Sequence, residues 1–353
     1  MKIDGALFPG VDDLRLYDGR LEAVPERIRH LEDKGFDGAY TIETNIDPFF
    51  NLLLAAEHSE RIELLTGVAI AFARSPMITA LQSWNLQGYS NGRFILGLGS
   101  QVRAHVEKRF SMPWHGPAKQ MREYVQALRA IWDHWQNGTR LNFRGEFYTH
   151  AITTPVFTPD PLDCPPPKIY VGALGPLMVE MAGEVADGIF GHPFNSMKFI
   201  RDVQIPALEK GLARAGRGLD DFDVQTMVLT ITGRNDEEIE KAEANVRRLL
   251  AFYGSTPAYY RVMEAHGWDD VGPILNRMSK DGRWDEMPDL LPDGIVDAFC
   301  VKGAPEEIPA LVAERCAGIS DRLTLYAPYA SDPDMWGDIV KGIKALPDNA
   351  SAA

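Results

Sequence analysis

Short apolar runs alternate with amphipathic stretches along almost the whole chain. Ile3 to Phe8 reads as a strand. Leu21 to Lys34 reads as a helix, with Leu21, Val24, Ile28 and Leu31 at helical spacing. Gly35-Phe36-Asp37-Gly38 stops it, and Ala39 to Glu43 forms the next strand. Pro48 to Arg61 is a helix with Asp47 as N-cap and proline at its first position. Ile62 to Ala71 is a long apolar strand, Pro76 to Tyr89 a helix and Phe94 to Leu98 a strand. A longer helix covers about Pro117 to Trp135. Further strands fall at Ile169 to Val171, Gly188 to Phe190, Val224 to Thr232 and Leu323 to Tyr326. Helices lie between them at Leu177 to Ala186, Lys198 to Ala215 and Glu237 to Phe252.

Unbroken Val/Ile/Leu strands belong to a parallel sheet covered on both faces. Eight such strands, most followed by a helix, favour a closed (β/α)8 TIM barrel over an open doubly wound sheet. The expected organisation is one domain over residues 1–353 with two insertions, at about 138–167 and 255–318. The first contains Asn142 to Tyr148, a hairpin turning at Gly145, and then a proline-rich stretch. The second carries Trp268 and Trp284. Insertions at the C-terminal ends of barrel strands build the walls of binding sites.

The chain has 353 residues, 45% of them hydrophobic, which is ample for a large core. Its net charge of −14 disfavours general affinity for nucleic acid or anionic membranes. The charge is uneven. Between Arg93 and Arg122 there are six basic residues (Arg93, Arg103, Lys108, Arg109, Lys119, Arg122) against one acid, Glu107, with His105 and His115 alongside. That stretch is either a solvated helix face or a rim for an anionic ligand. Cys164, Cys300 and Cys316 are too few and scattered for a disulfide framework or zinc site, so no metal is expected and a reducing cytoplasm fits. No apolar h-region opens the sequence, and no run of about 18 apolar residues occurs.

Residues 168–191 carry the strongest local signal: a buried strand, a loop from Gly172 to Gly175, a helix opened by Pro176, and a strand from Ile189. Such a loop presents backbone N–H groups at a helix N-terminus, where an anion is favoured. The alternative is a βα turn whose glycines serve only the turn. Gly97-x-Gly99 lacks the third glycine and the following acid of a dinucleotide fingerprint, and no Gly-x-Ser-x-Gly elbow exists.

Several segments, taken in order, resemble the luciferase-like monooxygenase superfamily and within it the branch of coenzyme F420-dependent oxidoreductases. They are Gly35 to Gly38, Arg61 to Val68, Ser90 to Gly99, Phe143 to Tyr148, Pro167 to Gly172 and Ala182 to Gly188. The resemblance implies a TIM barrel with a flavin-like ring at the C-terminal strand ends. It implies a phosphate on Gly172, Ala173, Leu174 and Gly175, with contacts near Phe190 and Gly191. It also implies a bulge in the third strand with a cis peptide at Gly67-Val68, so that Thr66, Gly67 and Val68 lie beneath the ring. The sequence departs from the branch in two places. Many members carry Asp-His after the second strand, where this chain has Glu43-Thr44. Some carry a glutamate beyond the fourth-strand glycines, where this chain reads Gly99-Ser100-Gln101-Val102-Arg103.

The expected activity is hydride transfer between bound F420 and a small organic substrate. An FMN-dependent monooxygenase, served by a flavin reductase, and a non-catalytic flavin or F420 binder are the alternatives. Glu43, at the end of the second strand, is a candidate base or substrate ligand. His192, directly after the sixth strand, titrates near neutrality and can hold or move a proton. Ser100 and Gln101 can hydrogen-bond the cofactor beside Gly99, and Gln101 is also placed among the catalytic candidates. Arg103, Lys108 and Arg109, with His105, can meet a polyanionic tail. Phe8, Thr41 and Trp114 are expected in the substrate wall. The resemblance further implies a homodimer.

Overall fold

The computed structural model describes residues 1–8 and 20–346. Eight parallel strands close on themselves: β1 (Lys2–Ala6), β2 (Gly38–Thr41), β3 (Glu63–Thr66), β4 (Phe94–Gly99), β5 (Lys168–Gly172), β6 (Gly188–Phe190), β7 (Asp223–Ile231) and β8 (Arg322–Tyr326). Each pairs with the next, and β8 returns to β1 through Ile3↔Leu323 and Asp4↔Thr324. The expected barrel is therefore the fold.

The strands are short because the buried runs are short. Their helices begin where sequence supplies a cap. Asp47 accepts the Phe49 N–H to start α2 (Pro48–Glu57), and Ser75 accepts the Ile78 N–H to start α3 (Pro76–Tyr89). The preceding α1 (Val24–Asp33) ends where Gly35 takes φ +86° and the Phe36 N–H returns to the Leu31 carbonyl, 3.1 Å away. Further along are α4 (Pro117–Asn137), α5 (Pro176–Val185), α6 (Ile205–Arg214), α7 (Asp236–Gly254), α8 (Ile308–Cys316) and α9 (Pro333–Lys344).

Period-two alternation divides the core. Ala39, Leu64, Leu96 and Ile169 pack outward with the helices. Tyr40, Leu65, Ile95, Tyr170, Phe190 and Met227 pack inside the barrel. Ions close its N-terminal end. Arg322 grips both oxygens of buried Asp4 at 2.7 Å and reaches Glu63 at 2.6 Å, while Asp223 accepts from Lys168 and Tyr170 at 2.6 Å each.

The C-terminal mouth is built differently. Val246, Leu249, Leu250, Met263, Leu275, Ile295 and Phe299, from α7 and the segment after it, belong to the same apolar cluster as the barrel interior. Residues between β7 and β8 therefore form a roof continuous with the inner core. One strand there was not expected from the sequence. Cys300–Lys302 pairs with Leu229, Thr230 and Ile231 at the end of β7. That strand is nine residues long, so its end projects past its neighbours and offers a free edge. Cys300–Lys302 lies inside the expected insertion at about 255–318, outside the strand–helix repeat that marked the others. The expected hairpin is present as Phe143–Arg144 paired with Thr149–His150.

Candidate cofactor and substrate site

The site starts where β3 breaks. The Gly67–Val68 peptide is cis, and the strand resumes as Ala69–Ile70 against Leu98 and Gly99 of β4. Thr66 bridges the gap. Its hydroxyl donates to the Gly97 carbonyl at 2.7 Å and accepts the Gly97 N–H at 2.8 Å. Thr66 is thus a strut inside the sheet, with both hydroxyl functions engaged. Gly67 ties back to β2, its N–H donating to Thr41 O at 2.8 Å.

Val68 is half-buried, and its isopropyl group lies across the glycines of the next two strands. A Cβ on Gly99 would come 2.5 Å from Val68 Cγ2, and one on Gly172 would come 3.2 Å from Cγ1. Glycine at 99 is required by this approach. Val68, Ser100, Gln101, Gly172, Leu174, Gly175, Gly191 and His192 are all half-buried, in contrast to the buried strands beneath them. They make a shelf with an accessible face. Gln101 sits at φ +60° with its side-chain oxygen accepting the Val102 N–H at 2.9 Å, and the Ser100 hydroxyl donates to Gln101 O at 3.1 Å.

The loop after β5 adjoins this shelf. Buried Gln204 donates to the Leu174 carbonyl at 2.9 Å and is itself held by Asn195. In a trans peptide the next N–H points the other way, so the Gly175 N–H is directed away from the packed interior. Gly175 is the N-cap of α5, and no side chain caps that end. The Arg261 guanidinium, from the roof, lies against it: a Cβ on Gly175 would be 2.8 Å from Arg261 Nη1. Arg261 is exposed and makes no ion pair among the described residues. An unpartnered helix start beside a guanidinium is the donor set an anionic group requires, so these residues fit a phosphate-bearing cofactor. Ala173 is only 5% exposed, so its side chain packs inward. Gly191 already donates its N–H to Gln225, and Phe190 lies beneath Gly67, which a Cβ would bring to 2.5 Å of Phe190 Cζ.

His192 faces the roof. The Phe194 N–H donates to its Nδ1 at 3.0 Å, which leaves the ring proton on Nε2. Tyr259 and Tyr253 stand 4.5 and 5.0 Å from its centroid. Burial among these rings pushes the imidazole down to about 4, so it is neutral near pH 7. Tyr253 hydrogen-bonds Tyr326 on β8, and burial holds the Tyr253 phenol well above its ordinary range.

Two expected residues are placed elsewhere. The Glu43 carboxylate accepts from Arg74 at 2.5 and 3.0 Å and from the Ile70 N–H at 2.6 Å. Both its oxygens brace the bulge, which removes it from the position of a free base. Thr41 alternates outward behind Tyr40 and meets Asn51 of α2 at 3.4 Å, so its side chain belongs to the helix layer and not to the substrate wall. Phe8 is buried under Arg27, whose guanidinium carbon is 5.0 Å from the ring, and it lines a cavity of about 670 Å³. Trp114 is half-buried against Phe72, at 5.8 Å.

The basic stretch divides by role. Arg93 caps the end of α2 through Ala56 O and Ser59 O, and Arg122 pairs with Glu184. Arg103 pairs with Glu107 four residues on, and Arg109 donates to Thr44 O. His105, Lys108 and Lys119 are exposed, and the two lysines make no ion pair among the described residues. No group of three or more His, Cys, Asp or Glu among the described residues is placed to hold a metal ion. No helix among them is long and apolar enough to cross a membrane.

Residues 1–321 match the model of the luciferase-like monooxygenase family. The chain belongs to that family. An uncharacterised protein of Mycobacterium tuberculosis is 53% identical over 83% of this chain and 86% of its own length. The 5,10-methylenetetrahydromethanopterin reductase of Archaeoglobus fulgidus is 28% identical over 84% of this chain and 86% of that one. The structure of the coenzyme F420-dependent tetrahydromethanopterin reductase from Methanopyrus kandleri superposes with a TM-score of 0.76 at 21% identity, covering 96% of each chain. Family membership supports an enzyme of the oxidoreductase and monooxygenase type acting on small molecules.

Arg261, Tyr253, Tyr259 and Tyr326 were missed in the sequence. The first three lie in or beside the roof, where no motif or period singles them out. Tyr326 was legible only as the end of a strand.

Proposed function

We propose that this chain is an oxidoreductase that moves a hydride between bound coenzyme F420 and a small organic substrate. The observation that carries the reading is the uncapped start of α5, with Arg261 against Gly175, adjoining the Val68–Gly99–Gly172 shelf. The F420 dependence of the structural neighbour from Methanopyrus kandleri supports the choice of cofactor.

In this reading Arg261 and the Gly175 N–H hold the phosphate, and Val68 with the Ser100–Gln101 backbone supports the ring. F420 supplies the carbon that gives or accepts the hydride. His192 carries its proton on Nε2 and is assigned the proton at that atom; Glu43 is assigned to the bulge. Tyr253 and Tyr259 keep water from the ring. Lys108 and Lys119, without an ion pair among the described residues, give a polyanionic tail two cations. Exposed Phe50, Leu53 and Ile78 on α2 and α3 offer an apolar face to a second copy, which sedimentation tests.

The deciding experiment is titration of the purified protein with F420 and with FMN, followed by fluorescence. Micromolar binding of F420 with none of FMN supports the reading. Binding of FMN alone replaces it with a flavin monooxygenase fed by a reductase. Flat isotherms for both overturn it.

A further inference from the structure

The helix that follows β6 carries one wide turn. It runs from Met197 to Arg214, and at Ile200–Gln204 the Ile205 N–H donates to the Ile200 carbonyl, five residues back instead of four. Such turns are rare inside helices and frequent at functional sites. Here the turn delivers Gln204, 6% exposed, to the Leu174 carbonyl at 2.9 Å. Directly beyond it α6 is locked on α5, where a Cβ on Gly211 would fall 1.9 Å from the Glu180 carbonyl oxygen. The orientation of the amide is fixed from both ends. The Ser196 N–H, which can only donate, meets Asn195 Oδ1 at 3.0 Å, so Asn195 Nδ2 faces Gln204 Oε1, 2.9 Å away. Gln204 Nε2 is then left for Leu174. Burying two amides costs free energy unless both are hydrogen-bonded, and these two serve the carbonyl of a half-buried rim residue, Leu174. What they set is direction. Held inward, that carbonyl turns the Gly175 N–H outward across the same peptide plane. Released, the peptide is free to turn over and present an oxygen to an anion.

We propose that Gln204, oriented by Asn195, is a positioning residue for the anionic end of the cofactor. It touches no ligand, and it sets the affinity for a phosphoryl group by holding the Leu174–Gly175 peptide in its donating orientation. The assignment rests on the function proposed above, which puts the phosphate at Gly175. Its effect is confined to the phosphate, because the shelf residues Val68 and Gly99 belong to the β3 bulge and to β4.

The test is the ratio of affinities within two probe pairs, F420 against its phosphate-free deazaflavin core and FMN against riboflavin, by fluorescence titration of the full chain. The unmodified chain should favour the phosphorylated member of at least one pair. In Gln204→Met that ratio should fall about tenfold, the effect of one lost hydrogen bond to a charged group, with the affinity for the phosphate-free member unchanged. Asn195→Ser leaves Gln204 in place but unoriented, so it should lower the ratio by less, and it carries the test if Gln204→Met does not fold. An unchanged ratio in the folded variants, or equal weakening of both members of a pair, overturns the positioning role alone. Preference for neither phosphorylated probe in the unmodified chain overturns the function proposed above, and this assignment with it.

Discussion

Glu43 and Arg74 stand 31 residues apart in sequence and form a paired carboxylate and guanidinium at 2.5 and 3.0 Å, both half-sealed from water where β3 breaks. Burial works against the Arg74 charge, but Glu43 and Asp47 outweigh it and hold the guanidinium above its ordinary value. Removing one member of such a pair strands the other. Arg74→Leu should therefore cost about 3 kcal/mol in urea unfolding, and Glu43→Gln less. Turnover per folded molecule should change little in Glu43→Gln. Loss of turnover with stability intact would restore Glu43 as the base.

His192 sets a pH dependence. Its folded value is pushed to about 4 by burial, below the ordinary 6.5. The unfolded chain thus binds a proton that the folded chain refuses. The stabilisation is full above pH 6.5 and is lost as pH falls from 6.5 toward 4, with a limiting slope of about 1.4 kcal/mol per pH unit. Urea unfolding of the native chain and of His192→Phe at pH 7 and pH 5 should show the smaller pH effect in the variant. Equal slopes would remove the burial argument.

Gly97 sits where Thr66 crosses to β4. A Cβ there would fall 1.9 Å from the Thr66 carbonyl oxygen, a backbone atom that cannot step aside. Gly97→Ala should cost about 3 kcal/mol or prevent folding. Gly116→Ala, with nothing within 4 Å of the new methyl group, should stay within about 0.5 kcal/mol. Thermal midpoints of the two variants make the comparison.

Arg261 is exposed and touches the fold lightly, so Arg261→Ala should leave the thermal midpoint unchanged. It should weaken F420 at least about tenfold, the effect of a lost charge-assisted contact. Arg103→Glu should weaken F420 more than FMN, because only the former has a polyanionic tail. Fluorescence titration at two salt concentrations separates the two effects.

Much of this was written locally in the chain. The apolar runs marked the eight strands, and Gly35 and Asp47 marked helix ends, because caps and periodicity act over a few residues. Counting in twos from Tyr40 would also have turned Thr41 outward. What remained hidden depends on residues distant in sequence. Nothing near Glu43 announces Arg74, and nothing near Gly175 announces Arg261, which arrives 86 residues later on a helix only five residues long. A partner brought by the fold of a roof has no period to reveal it.

That roof shares its hydrophobic mass with the inside of the cylinder. Trimming Met263 or Phe299 to admit a bulkier guest would open a hole in what holds the strands together. Selectivity and robustness are thereby tied, and any redesign of one must refill the volume it empties from the other.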